Sequence, residues 1–216
     1  YTSAALSATT YYRSIVTSTA TNCTLISNSV QATVVPDPTI TAQPTGGVIC
    51  SGGTFVLSVT ATGGTPSLNY QWYSSSDNIS FALISGATLN TYTTPSLTSD
   101  TYYRVDVSSP GNGCSSITSN SILVDVIPDP VVTTQPVGNT ICSGTTHTMN
   151  VVASGNASGG ALAYQWQSSV NGTSGWANVA GGTGATTTTY TTAALTSTLY
   201  YRVQITQSPN GCETFS

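Results

Sequence analysis

Apolar and polar residues alternate with a period of two along much of the chain. Phe55, Leu57 and Val59 alternate with Val56, Ser58 and Thr60, and Tyr103, Val105 and Val107 alternate with Arg104 and Asp106. Alternation carried by β-branched and aromatic residues marks half-buried strands. Runs of Ala, Glu, Lys and Leu that would build long helices do not occur. Gly, Pro and Ser/Thr clusters interrupt the pattern at the spacing of about 8–12 residues found in β-sandwiches. Between residues 36 and 127 the pattern predicts seven strands, at 39–49 (broken near Pro44), 54–61, 68–74, 80–84, 88–94, 100–107 and 117–126. The expected fold class is all-β. Trp72, Trp166, Tyr103 and Tyr201 are the predicted structural core, with each Trp on an inner sheet face.

The pattern repeats. Thr10-Tyr11-Tyr12-Arg13 returns as Thr101-Tyr102-Tyr103-Arg104 and as Tyr200-Tyr201-Arg202, and a Cys stands ten residues after each Arg, at Cys23, Cys114 and Cys212. Pro36-Asp37-Pro38, Gln43-Pro44 and Ile49-Cys50-Ser51-Gly52 return 92 residues later as Pro128-Asp129-Pro130, Gln135-Pro136 and Ile141-Cys142-Ser143-Gly144. Tyr70-Gln71-Trp72 is matched by Tyr164-Gln165-Trp166. A period near 90 residues is too long for a solenoid unit and suits a whole small domain. The expected organisation is the C-terminal part of one repeat (1–35), a complete repeat (36–127) and a repeat lacking its last strand (128–216), strung as beads and cut from a longer array.

Composition narrows the function classes. Only 5% of residues are charged, and the three cations are Arg13, Arg104 and Arg202, with no Lys. A phosphate-tracking surface for nucleic acid needs many more cations. No run of about 18 apolar residues exists, so no membrane insertion by a helix is expected. The lone His147 has no acid close to it in sequence, and the seven acids are scattered. A Ser-His-Asp set or a facing carboxylate pair is therefore not indicated, and no enzymatic role and no cofactor are expected. The Gly181-Gly182-Thr183-Gly184 stretch precedes neither a helix nor a Lys, which removes a phosphate loop. Calcium has weak candidates in Asp37 and Asp129 of the Pro-Asp-Pro linkers, one carboxylate each where calcium wants six to eight oxygens. The Tyr-Tyr-Arg motif reads chiefly as packing, with a cation–π contact expected for Arg104.

Read in order, Ile-Cys-Ser-Gly, Tyr-Gln-Trp, Tyr-Tyr-Arg-Val and Gly-Cys with Pro-Asp-Pro linkers resemble the tandem immunoglobulin-like repeats of giant Bacteroidota surface proteins. That family includes type IX-secreted adhesins, some of them linked to gliding motility. The resemblance implies a secreted or cell-surface, outer-membrane-attached protein whose partners are the neighbouring repeats, with lateral copies or surface polysaccharide as further partners. The expected function is a non-catalytic stalk or spacer of an adhesin or extracellular filament. The alternatives are a carbohydrate- or host-surface-binding module, with Trp176 as its candidate platform, and a self-assembling filament subunit completed by strand exchange.

Five Cys in a Ser/Thr-rich chain without C-x-x-C suggest structural disulfides in an oxidising setting. Two pairings stay open. Counting favours Cys50–Cys114 and Cys142–Cys212 within repeats. Topology favours an inter-repeat Cys50–Cys212 bond, because an eight-residue strand of roughly 25 Å separates the two poles of a sandwich, and disulfide Cα atoms lie within about 7 Å. In that case Cys23 and Cys114 would pair with preceding repeats.

Overall fold

The computed structural model describes residues 1–110, 114–156, 160–208 and 211–216. The described elements are all strands, and none of them is a helix. By its internal contacts the chain divides into two compact units. One comprises Tyr1–Thr45, Leu57–Tyr92 and Tyr102–Ile122; the other comprises Gly46–Val56, Thr93–Thr101 and Leu123–Ser216. The dividing line runs through the repeat expected at 36–127, so one pole of that repeat belongs to the same compact unit as residues 128–216.

In the first unit, Asn69–Ser75 pairs antiparallel with Thr101–Ser108 through Trp72 opposite Val105 and Arg104 opposite Tyr73. Ala82–Leu83 and Ile117–Thr118 extend this sheet. A second layer contains Thr39–Ala42 paired with Thr60–Thr62. The buried residues Leu57, Val59, Trp72, Tyr103, Val105 and Val107 sit at alternate strand positions, so the period-two sequence pattern becomes the core directly. Residues 1–35 form a hairpin in two pieces, Thr10–Tyr12 with Val30–Ala32 and Ile15–Thr17 with Thr24–Ile26. Its apolar positions Tyr11, Val16, Leu25 and Val30 are exposed.

In the second unit, Leu162–Ser169, Tyr200–Gln207, Ala177–Asn178 and Cys212–Phe215 make one four-stranded sheet. Thr148–Asn150 with Thr189–Thr191, and Val131–Thr134 with Val152–Ser154, make the opposing layer. Met149, Val151, Trp166, Tyr190, Val203 and Ile205 close the core between them. Gly47–Cys50 also belongs here and runs parallel to Ile122–Ile127, with Val126 opposite Ile49 and Ile127 opposite Cys50.

The break expected near Pro44 in the 39–49 strand is present, and its two pieces, Thr39–Ala42 and Gly47–Cys50, join different sheets. Pro44 lies between them and has no N–H to continue a ladder. Residues 128–216 do not lack their last strand altogether: Cys212–Phe215 pairs with Tyr200–Gln207 from Gln207 as far as Gln204. The tight Gly211-Cys212 return lets four residues already reach the ladder, and Ser216 extends it by donating its N–H to Val203 O at 3.1 Å.

Candidate functional site

The strongest chemical feature is a covalent joint inside the second unit. Cys50 ends the strand Gly47–Cys50, and Cys212 begins Cys212–Phe215. Their Cα atoms are 5.3 Å apart and a disulfide joins them across 162 residues of sequence. Cys212 is buried at 2% exposure, with its Sγ beside the Ile127 carbonyl. Ile127 O also accepts from Ser51 N–H at 2.9 Å, so the strand end, the Cys50 turn and the bonded partner share one carbonyl. The turn itself is held by Gly52 N–H on Leu97 O at 2.7 Å.

This geometry decides between the two pairings. Cys50–Cys114 and Cys142–Cys212 do not form, because Cys50 and Cys212 are bonded to each other. The physical reason is polar separation within one sandwich: the turn before the second strand and the return after Tyr-Tyr-Arg lie at opposite ends of a repeat. Cys23, Cys114 and Cys142 are free thiols, the first and last exposed and Cys114 partly buried.

The linker acids take different places. Asp129 has a carboxylate oxygen within 4.8 Å of the Cys50 and Cys212 sulfurs. That group offers no metal site while the sulfurs are bonded to each other. Asp37 accepts from Ser115 N–H at 2.9 Å, which ties the first Pro-Asp-Pro linker to the residue after Cys114. The linker Asp is thus a docking group for the Cys loop that follows it. Asp125 lies beside Asp100; burial first, then the Asp100 charge, pushes its carboxyl above the usual range. Asp100 also accepts from Val126 N–H at 2.9 Å.

The predicted core residues are repeated as a three-ring stack. Trp72 is stacked with Tyr92 at 6.2 Å, and Tyr92 is tilted on Tyr103 at 6.0 Å. Trp166, Tyr190 and Tyr201 repeat this at 5.8 and 5.9 Å. Each indole N–H donates to a backbone carbonyl at 2.9 Å, Leu89 O for Trp72 and Thr187 O for Trp166. Tyr103 is buried, whereas Tyr201 is only half-buried and lines an open groove. Tyr92 and Tyr190 were missed by sequence reasoning; the shared Thr-Tyr-Thr-Thr around them was the available signal. Gly182 and Gly184 adopt φ of +71° and +83° in the turn that covers Tyr190, whose hydroxyl donates to Gly181 O at 3.1 Å. That stretch is a cap on the ring stack and not a phosphate cradle.

The Tyr-Tyr-Arg arginines stack on rings. The Arg104 guanidinium lies 4.2 Å from the Phe81 ring centre and 5.6 Å from that of Tyr73. The Arg202 guanidinium lies 4.5 Å from Trp176 and 4.2 Å from Phe215. Trp176 is therefore already engaged by a cation. A ring nitrogen of His147 is 2.9 Å from Val137 O, which ties the imidazole to a backbone carbonyl.

Residues 39–128 and 132–216 each match the model of a family described as Domain of unknown function (DUF8696). No curated protein matches the chain. Among solved structures, similarity extends to extracellular domains 3–5 of Drosophila OTK, with 15% identity over 95% of this chain and 68% of that one, at a TM-score of 0.44. Sidekick-1 immunoglobulin domains 1–5 share 11% identity over 94% of this chain and 44% of theirs, at 0.45. The I-band fragment I67–I69 of titin shares 11% identity over 96% and 72%, at 0.47. Likeness at this level bears on no function. The described strands pair into small sheets with no helix among them, an all-β arrangement.

Proposed function

Taking as premise that the chain belongs to the family described as Domain of unknown function (DUF8696), we propose that it is a non-catalytic stalk segment of a secreted or cell-surface adhesin or filament. Its repeats are expected to act as spacers whose joints are stapled by disulfides. One observation carries this reading: Cys50 and Cys212 are bonded across 162 residues, from one copy of the repeated motif to the next. A joint under tension gains resistance to opening from such a bond. The flanking prolines of both linkers and, in the first, the Asp37 bond to Ser115 N–H support the same reading by restricting the linker.

A disulfide fits an oxidising, extracellular setting. The sequence resemblance adds Bacteroidota, type IX export and outer-membrane attachment to the proposal, which surface labelling and fractionation of an expressing cell would test. Low charge and abundant hydroxyls suit a long solvated stalk. The neighbouring repeats are the proposed partners; Trp176, with one face given to Arg202, is a poor sugar platform.

The test is the distance distribution between labels at residues 79 and 180, attached by chemistry that survives reductant and measured by pulsed electron resonance before and after reduction. A stalk joint gives one narrow distribution when oxidised and a broad one when reduced. Equal breadth in both states would remove the stapled-joint reading. A parallel glycan array with the oxidised chain is expected to show no retention, and strong retention would favour the binding-module reading.

A further inference from the structure

The strands Thr91–Thr93 and Thr189–Thr191 hold the same place in successive repeats, each with one strand partner, and their open sides are finished differently. Thr189–Thr191 pairs antiparallel with Thr148–Asn150, and Thr189 and Thr191 turn their N–H and C=O away from that partner. The chain itself covers both. Thr183 N–H donates to Thr191 O at 2.9 Å, and Thr191 N–H donates to Thr183 O at 2.9 Å. The Thr187 hydroxyl donates to Thr189 O at 2.7 Å and accepts from Thr189 N–H at 3.3 Å. Gly182 and Gly184 pass so close to this edge that a side chain on either would strike the Thr191 or Thr189 carbonyl.

Thr91–Thr93 has neither cover. Ile84 N–H donates to Trp72 O as Val179 N–H does to Trp166 O, and Trp72 N–H donates to Ala87 O as Trp166 N–H does to Ala185 O. Between these matched pairs lie Ser85 and Gly86 in one repeat and residues 180–184 in the other. The shorter connection lacks the residues that carry Thr183 over the edge. The matched indole bonds to Leu89 O and Thr187 O place Leu89 where Thr187 stands, and Leu89 has no hydroxyl. Asn90 O accepts from Val59 N–H and Thr94 N–H donates to Phe55 O, both at 2.9 Å, so Thr91 and Thr93 are the residues that face outward. Among the described residues no group takes their outward N–H or C=O. Both threonines are exposed, and Tyr92 is half-buried where its counterpart Tyr190 is 2% exposed. Open edges are ordinarily guarded by charge or by cover. Here no charged residue stands between Asp77 and Asp100.

We infer that Thr91–Thr93 pairs antiparallel with Thr91–Thr93 of a second copy of this chain, about a twofold axis at Tyr92. Thr91 of each copy stands opposite Thr93 of the other and exchanges both N–H···O bonds with it, about four bonds in all. A copy is the occupant because this one axis satisfies every outward group of the edge and brings no charge against it. Leu89, 67% exposed, and Pro95, also exposed, stand at equal sequence distances before and after Tyr92. The same axis carries Leu89 of one copy toward Pro95 of the other and removes apolar surface from water. The second repeat stays out of the contact because its own residues fill the edge. The pairing supplies a lateral partner for the stalk and rests on that reading only for its purpose. Its failure would leave the Cys50–Cys212 staple and the distance test untouched.

The test uses the 216-residue chain carrying Cys23→Ser, Cys114→Ser and Cys142→Ser, so that no new disulfide joins copies. Sedimentation equilibrium over a concentration series into the millimolar range is expected to show a reversible rise from 22.1 kDa toward twice that mass. Amide exchange at Thr91 and Thr93 is expected to slow as concentration rises. Thr93→Pro removes an outward donor at an edge position where proline is tolerated. It is expected to weaken association about tenfold, because the twofold axis doubles the lost bond. Replacing residues 85–86 by the sequence of 180–184, together with Leu89→Thr, builds the cover of the second repeat and is expected to leave a monomer. Urea unfolding checks that each variant is folded, and the covered variant decides alone if Thr93→Pro is not. A monomer at every concentration, a dimer that survives the cover, or concentration-dependent protection that spares Thr91 and Thr93 would each overturn the inference.

Discussion

Arg104 and Arg202 stand at the same motif position and are held differently. Opposite Arg202 is Gln167, whose Oε1 accepts from the arginine Nε at 2.8 Å. Opposite Arg104 is Tyr73, and the Arg104 Nε is buried without a hydrogen-bond partner. Stacking is common to both, so substitution by Met, which keeps an apolar stem, separates the two contributions. Arg202→Met is expected to cost about 1 kcal/mol more in urea unfolding than Arg104→Met, the worth of one net hydrogen bond. Equal losses would mean that stacking alone matters. Asp77 gives a pH test of a single turn. Hydrogen bonds from Ser80 N–H, the Ser75 hydroxyl and Ile79 N–H hold its carboxyl at about 2. Its folded value is depressed, so its contribution to stability is present above the unfolded value of about 4 and is lost as pH falls through about 2. Asn171 builds the same turn with an amide, its Oδ1 accepting from Thr173 and Ser174 N–H. Asp77→Asn is therefore expected to keep the turn and remove part of the acid sensitivity between pH 4 and 2, read from urea midpoints at both pH values. An unchanged acid profile would exclude Asp77 as a source.

Strands were the legible level of this sequence because period-two alternation maps one-to-one onto sheet faces. The predicted 68–74 and 100–107 became Asn69–Ser75 and Thr101–Ser108. What alternation does not encode is which sheet a segment joins: the break near Pro44 was legible, and the separate sheets of its two pieces were not. The cysteines were legible as a set and ambiguous as pairs, since pairing depends on which poles meet. A further element was hidden by a one-residue offset. Val105 N–H donates to Ser119 Oγ at 3.0 Å while Ser119 N–H donates to Val105 O at 2.9 Å. Ser14 with Ser27, and Val203 with Ser216, form the same reciprocal pair. The serine stands four residues after Cys23 and Cys212 but five after Cys114, so a fixed-spacing comparison misses it. This hydroxyl replaces a ladder bond where the last strand bends between its two pairing segments. Ser119→Ala is expected to strand the Val105 N–H and cost about 1–3 kcal/mol, with faster amide exchange at Val105. Exchange unchanged at that amide would show that another acceptor takes over.

The Cys50–Cys212 bond sets how tension passes through the whole chain. A disulfide is a covalent shortcut, so a force applied at residues 1 and 216 runs along residues 1–50, crosses the sulfurs and leaves through 212–216. The 162-residue separation of the two cysteines lies inside a closed loop that carries no tension while the bond holds. Both Trp-centred cores have most of their strands in that loop, so neither is pulled apart by shear along its full length. Single-molecule stretching of the oxidised chain is expected to release only short extensions from residues 1–50. With reductant present, the same pull is expected to gain roughly 550 Å more, at 3.3–3.6 Å per extended residue. The gain should appear in steps as the two sandwiches open. An identical extension in both conditions would mean that the bond does not shield the loop in solution, and the stalk reading would lose its mechanical basis. Cys50→Ser, pulled without reductant, should reproduce the long extension and so assign the shielding to this bond and to no other cysteine.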